Sequence, residues 1–75
     1  MLNKVIEILA EKLDKDASEI TAESSIKEDL GADSLDMVEI GMAIEDIFEV
    51  EVTDKDVEKI STVQDVVNFV CEKKK

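Results

Sequence analysis

Leu2, Val5, Ile6, Leu9 and Leu13 recur at helical spacing, and Ile8 and Ala10 widen the same apolar face. Glu7, Glu11 and Lys12 fall on the wet side. This pattern predicts a helix from about Leu2 to Asp14. Periodicity then stops. Residues 15–33 are rich in Asp, Ser, Thr, Glu and Ala. So long a connection in a compact domain needs anchors, and Ile20, Ile26 and Leu30 are placed to dip into a core. A second helical series follows: Met37, Ile40, Gly41, Ile44, Ile47 and Phe48 share one face, ending near Glu49 or Val50. Val50-Glu51-Val52 alternates like a strand but is too short to build one. Val57 and Ile60 point inward from a brief helix, about Asp54 to Lys59. Val63, Val66, Val67 and Val70, with Phe69 beside them, give a last helix its core face, and Glu72 to Lys75 form a frayed basic end.

The punctuation agrees with the periodicity. Gly31 can supply the turn before the second helix. Asp33 is an N-cap candidate, and Asp36 places negative charge in the first turn. Thr53 can cap the short helix, and Ser61 with Gln64 reads as an S-x-x-Q capping box for the last. The absence of proline, with only 2 glycines, favours helices over tight turns. The expected fold is all-α: a small four-helix bundle of three longer helices and one short one, with a long loop between helices one and two. Residues 1–75 are read as one domain, expected to be a monomer.

Composition narrows what such a bundle can do. Aromatic residues are only 3 % of the chain, so the core must be aliphatic. The net charge is −11, with 20 acids, 9 lysines and no arginine. Nucleic acid is excluded as a partner, because phosphate contacts need basic patches. Basic protein surfaces fit instead, and solubility alone also accounts for the acidity. The single Cys71 allows neither an internal disulfide nor a cysteine metal cluster, and is expected to be a partly buried small residue. No apolar run reaches the length of a membrane span, and no targeting segment is visible, which points to the cytoplasm. Asp14 to Ser18 imitates the start of a calcium loop. Glu19 stands where that loop needs glycine, and Ser25 where it needs glutamate, so no metal site is expected.

Ser34 is the residue with chemistry. A nucleophilic serine needs a base, but the chain has no histidine and no lysine between Lys27 and Lys55. Asp33 and Asp36 would also oppose a developing anion. Ser34 can instead be modified, since free N–H groups at a helix start tolerate a phosphate. It can equally be a plain helix cap, and the residues alone leave both readings standing. The second helix also carries Leu35, Val38 and Met42 opposite its core series, interleaved with Asp36, Glu39, Glu45, Asp46 and Glu49. Apolar anchors framed by one sign of charge suit transient docking. The long loop could alternatively cover this stripe.

Leu30-Gly31-Ala32-Asp33-Ser34-Leu35-Asp36 resembles the prosthetic-group attachment motif of acyl carrier proteins. The resemblance continues through Val38-Glu39-Ile40, Met42 to Asp46, Phe48, Thr53-Asp54, Glu58 to Ile60 and Thr62-Val63, and so spans nearly the whole chain. It implies a carrier without catalytic activity. A phosphopantetheinyl transferase would use coenzyme A to attach 4′-phosphopantetheine to Ser34. The arm's thiol would carry growing acyl chains between fatty-acid synthase enzymes and acyltransferases. Carriage of polyketide or aminoacyl cargo is the alternative, and an unmodified acidic interaction module a more distant one.

By the same resemblance, Asp33, Leu35, Asp36, Val38, Glu39, Met42, Glu45 and Asp46 would meet Lys/Arg patches on partners. Ile26, Met37, Gly41, Ile44, Phe48, Val52, Val57, Ile60, Val66 and Phe69 would line an acyl pocket. The chain departs from the family pattern at Lys27, where an apolar residue is common, and at Thr53, where proline is. It also departs at Gly41, where a larger aliphatic is typical. Gly41 is expected to leave room for an acyl chain, and Gly41→Val to raise stability by restoring helix propensity.

Overall fold

The computed structural model describes residues 1–74. Four α-helices follow one another: α1 (Leu2–Leu13), α2 (Ser34–Phe48), α3 (Asp54–Lys59) and α4 (Val63–Lys73). A 3-10 turn, Ala17–Glu19, interrupts the first connection. The fold is all-α, and among the described residues the only β pairing is an isolated bridge between Ser25 and Thr62. Helix α1 packs against α2 and α4, and α3 lies against α2.

The aliphatic stripes meet in one core. Val5 and Leu9 of α1, Ile40 and Ile44 of α2, and Val63, Val66 and Val70 of α4 are essentially shut off from solvent. Each loop anchor joins them: Ile20, Ile26 and Leu30 are all buried. The loop is also laced to the start of α4. The Ile26 N–H donates to the Ser61 carbonyl at 2.9 Å, Val63 N–H to Ser24 at 3.1 Å, and Gln64 N–H to Ala22 at 2.9 Å. The long connection is thus a fixed layer of the molecule, its backbone groups satisfied by the helix it crosses.

Three helices begin with reciprocal caps. Asp33 and Asp36, Thr53 and Asp56, and Thr62 and Asp65 each exchange side-chain-to-backbone hydrogen bonds across three residues. The box at α4 is not the expected Ser61–Gln64 pair. It is shifted by one residue because the Asp65 carboxylate takes both the Thr62 and the Ser61 N–H at 3.0 Å. Gln64 instead donates to Asn68. Helix α1 ends one residue earlier than expected, with Asp14 in the left-handed conformation (φ 54°). Helix α4 extends to Lys73, through residues expected to fray, while Lys75 lies outside the described residues.

The caps predict an acid response. The backbone N–H groups of Thr62 and then Ser61 hold Asp65 below its ordinary value of 3.8. Its contribution is therefore complete above that value, where the unfolded chain is already ionised. It is lost as pH falls through the lowered folded value. Asp65→Asn is expected to lower the melting temperature at pH 7, with the gap to wild type closing once pH drops below 3.8. Thermal melts of both proteins from pH 7 downward measure it, and a gap that persists in strong acid refutes it.

Candidate functional site

Gly31, at φ 72°, turns the chain between the buried Leu30 and Ala32. The Ala32 N–H donates to the Ile26 carbonyl at 3.1 Å, which ties the turn to the loop's deepest anchor. Asp33 is extended, and its Oδ1 accepts the Asp36 N–H at 2.9 Å. Asp36 Oδ2 accepts the Asp33 N–H at 3.1 Å in return. Capping is therefore the work of Asp33, and Ser34 is the first residue of α2 with its side chain in solvent. Among the described residues no protein group is hydrogen-bonded to the Ser34 hydroxyl, nor to the N–H of Ser34 or Leu35. The capping explanation for this serine falls away, leaving an exposed hydroxyl at the positive end of a 15-residue helix.

Ser34 opens onto a groove of about 340 Å³ between α2 and α3, lined by Lys27, Met37, Val38, Asp54, Val57 and Glu58. A recess of about 60 Å³ follows along the same helices, between Val38, Gly41, Met42, Glu45, Val52, Asp54 and Val57. Of the ten residues expected to line an acyl pocket, Met37, Gly41, Val52 and Val57 border these two spaces. Ile26, Ile44 and Val66 are sealed in the packed core, against which Phe48 is half-buried. Ile60 and Phe69 instead border a separate groove between α3 and α4.

Gly41 leaves less room than its sequence position suggested. A Cβ there would stand 3.0 Å from Val57 Cγ2 and 3.5 Å from Val52 Cγ1. Val57 already fills the space, and a β-branched neighbour yields little at χ1. Gly41→Val is thus expected to lower stability by about 1–3 kcal/mol through overpacking, despite its better helix propensity. Chemical denaturation of the variant decides the sign, and Val57→Ala in the same chain should relieve the loss.

The outer face of α2 is uncovered. Leu35 is 75 % exposed, Val38 47 % and Met42 64 %, so the long loop does not lie on this stripe. Glu39, Glu45 and Asp46 stand exposed around it, while Asp36 is half-buried by its capping role. Glu45 also accepts the Val52 N–H at 3.1 Å, steadying the turn after α2. Ile47 was expected in the core and is 46 % exposed. Near the end of α2 an open groove of about 560 Å³ runs between it and α1, so Ile47 lines that groove together with Glu11, Met42 and the edge of the buried Ile8. Cys71 is likewise exposed instead of partly buried, because Val70 takes the inward position one residue before it.

With no lysine between Lys27 and Lys55, repulsion along α2 has little local compensation. Raising salt from 10 mM to 500 mM shortens the screening length from about 30 Å to a few Å and is expected to raise the melting temperature. An unchanged melt would mean that the native state already neutralises this charge.

Comparison with known proteins adds the decisive finding. Residues 3–70 match the sequence family described as the phosphopantetheine attachment site. The chain belongs to this phosphopantetheine-attachment family. An acyl carrier protein of an Exiguobacterium species is 54 % identical over 70 residues, covering 93 % of this chain and 89 % of that protein. The crystal structure of the acyl carrier protein of Thermotoga maritima superposes with a TM-score of 0.78 at 37 % identity, covering 93 % of this chain and 81 % of that one. The acyl carrier protein of Enterococcus faecalis gives 0.80 at 38 % identity, covering 96 % and 91 %.

The residues present fit the group that gives this family its description. A phosphodiester needs an accessible hydroxyl, donors that can face its oxygens, and space for the arm. Ser34, the open N–H groups of Ser34 and Leu35, and the adjoining groove are arranged in that way. Three residues of this neighbourhood were not among the expected site residues: Lys27, Asp54 and Glu58. Lys27 was visible as an odd residue in an apolar position. Asp54 and Glu58 lie in stretches that match the family, but nothing local tied them to Ser34, because only the docking of α3 against α2 brings them to the groove.

Proposed function

We propose that the chain is an acyl carrier of fatty-acid biosynthesis, modified on Ser34 and without catalytic activity of its own. The observation that carries this reading is the exposed Ser34 hydroxyl, relieved of capping by Asp33, within a stretch matching the attachment family. A phosphopantetheinyl transferase would form the Oγ–P bond and break the pyrophosphate of coenzyme A, releasing its nucleotide half. The hydroxyl proton would leave to the transferase, since this chain holds no histidine to receive it. When attached, 4′-phosphopantetheine supplies a flexible arm whose thiol holds acyl groups as thioesters.

The chain's own residues then have two tasks. The groove walls of Met37, Val38 and Val57 offer apolar contact to a tethered acyl group, worth about 0.8 kcal/mol per buried CH₂. Leu35 and Met42, framed by Glu39, Glu45 and Asp46, form the face that basic patches on synthase enzymes and acyltransferases would recognise. Among the described residues no helix is long and apolar enough to cross a membrane. We place the carrier in the cytoplasm as a monomer of one domain, where its acidity favours exchange among basic partners over self-association.

Intact mass measurement after incubation with coenzyme A and a phosphopantetheinyl transferase tests the proposal. One added phosphopantetheine, followed by acyl loading on its thiol, is expected. No mass gain, under conditions that modify a control carrier, overturns it.

A further inference from the structure

We propose that Lys27 is the counter-charge for the phosphodiester on Ser34 and sets where the arm leaves the protein. This rests on the carrier reading above and concerns the same site. Lys27 and Ser34 border one groove, although they come from different elements. The other charged residues lining the groove among the described residues, Asp54 and Glu58 on the α3 wall, are acidic, as are Asp33 and Asp36 at the start of α2. A phosphodiester placed here adds negative charge to a ring of carboxylates. The open N–H groups of Ser34 and Leu35 offset it from the helix side alone. Among the described residues that line the groove, Lys27 is the one cation, on a flexible four-carbon stem.

The placement also has a direction. Lys27 lies on the groove side of Ser34, whereas Leu35 projects onto the docking face. A phosphate drawn toward Lys27 therefore starts the arm toward the apolar walls of Met37, Val38 and Val57. Lys27 does not react; it is a positioning residue. Its exposure makes the fold insensitive to its replacement, so the interaction can be isolated.

A thermodynamic cycle measures it. Apo and loaded forms of wild type, Lys27→Gln and Lys27→Arg are each melted, with loading confirmed by mass. Loading should lower the melting temperature of Lys27→Gln more than that of wild type. A charge contact of this exposure in a domain of this size corresponds to a difference of roughly 1–6 °C. Lys27→Arg should behave as wild type, and 1 M salt, which shortens the screening length to about 3 Å, should erase the difference. The ³¹P resonance of the loaded protein should shift on Lys27→Gln, which a purely structural role for Lys27 would not cause. Equal loading shifts in wild type and Lys27→Gln, with an unmoved ³¹P signal, overturn the Lys27 assignment alone. Failure of wild type to gain mass overturns the carrier reading itself.

Discussion

In Ser34→Ala, the mass gained from coenzyme A and a phosphopantetheinyl transferase is expected to fall to zero, with the fold intact. The loss is total because, among the described residues, no other hydroxyl lines the groove. Ser24 is buried, and Ser25 and Ser61 hold the loop against α4. The fold survives because the Ser34 side chain makes no hydrogen bond among the described residues, and Asp33 caps the helix without it. An exposed substitution of this kind stays within about 0.5 kcal/mol, or roughly 3 °C for a domain of this size. The comparison variant is Asp33→Ala. It removes the cap, should cost about 1 kcal/mol, and leaves the hydroxyl in place. Loading that persists in Ser34→Ala would move the attachment elsewhere. A large loss of stability there would mean that the serine has a structural part as well.

Ile26→Ala is expected to remove a large share of the folding free energy while leaving every helix sequence untouched. Ile26 is completely buried, and its backbone joins two parts of the fold. Its N–H reaches Ser61 before α4, and its carbonyl accepts the Ala32 N–H beside the Gly31 turn. Truncating so enclosed an aliphatic side chain typically costs 2–5 kcal/mol. A domain of this length holds only about 4–11 kcal/mol in total. The urea midpoint should therefore fall sharply with little change in slope. Loading of Ser34 should become more sensitive to temperature, because the turn presenting it hangs from the same anchor. A loss below about 1 kcal/mol would show that the loop collapses readily onto the vacated space.

The residues missed by sequence reading share a cause. Periodicity finds the azimuth of a side chain on its own helix, and Val5, Ile40, Ile44 and Val66 were legible in that way. It cannot find what lies opposite. Ile47 has a core azimuth, yet α1 and α2 leave a groove open beside it. Gly41 looked like free space, yet Val57 of α3 occupies it. The pocket expected from ten residues divides among a groove, a recess and a solid core, because a helix face is continuous in sequence while a cavity depends on which faces meet.

Local sequence alone sets the four helices, the loop anchors and the turn before Ser34. Each follows from local physics: apolar spacing, a glycine at positive φ, and short polar side chains at helix starts. It also determined that Ser34 has no base in its own chain, since histidine is absent. Only the closed fold shows that the docking stripe is bare and that Lys27, Asp54 and Glu58 share the groove of Ser34, whereas the Asp33 cap is local to residues 33–36. The bare stripe and the shared groove depend on the packing of a loop and of α3 against α2. Such contacts are fixed by the shape of the closed core, which no residue-by-residue pattern contains.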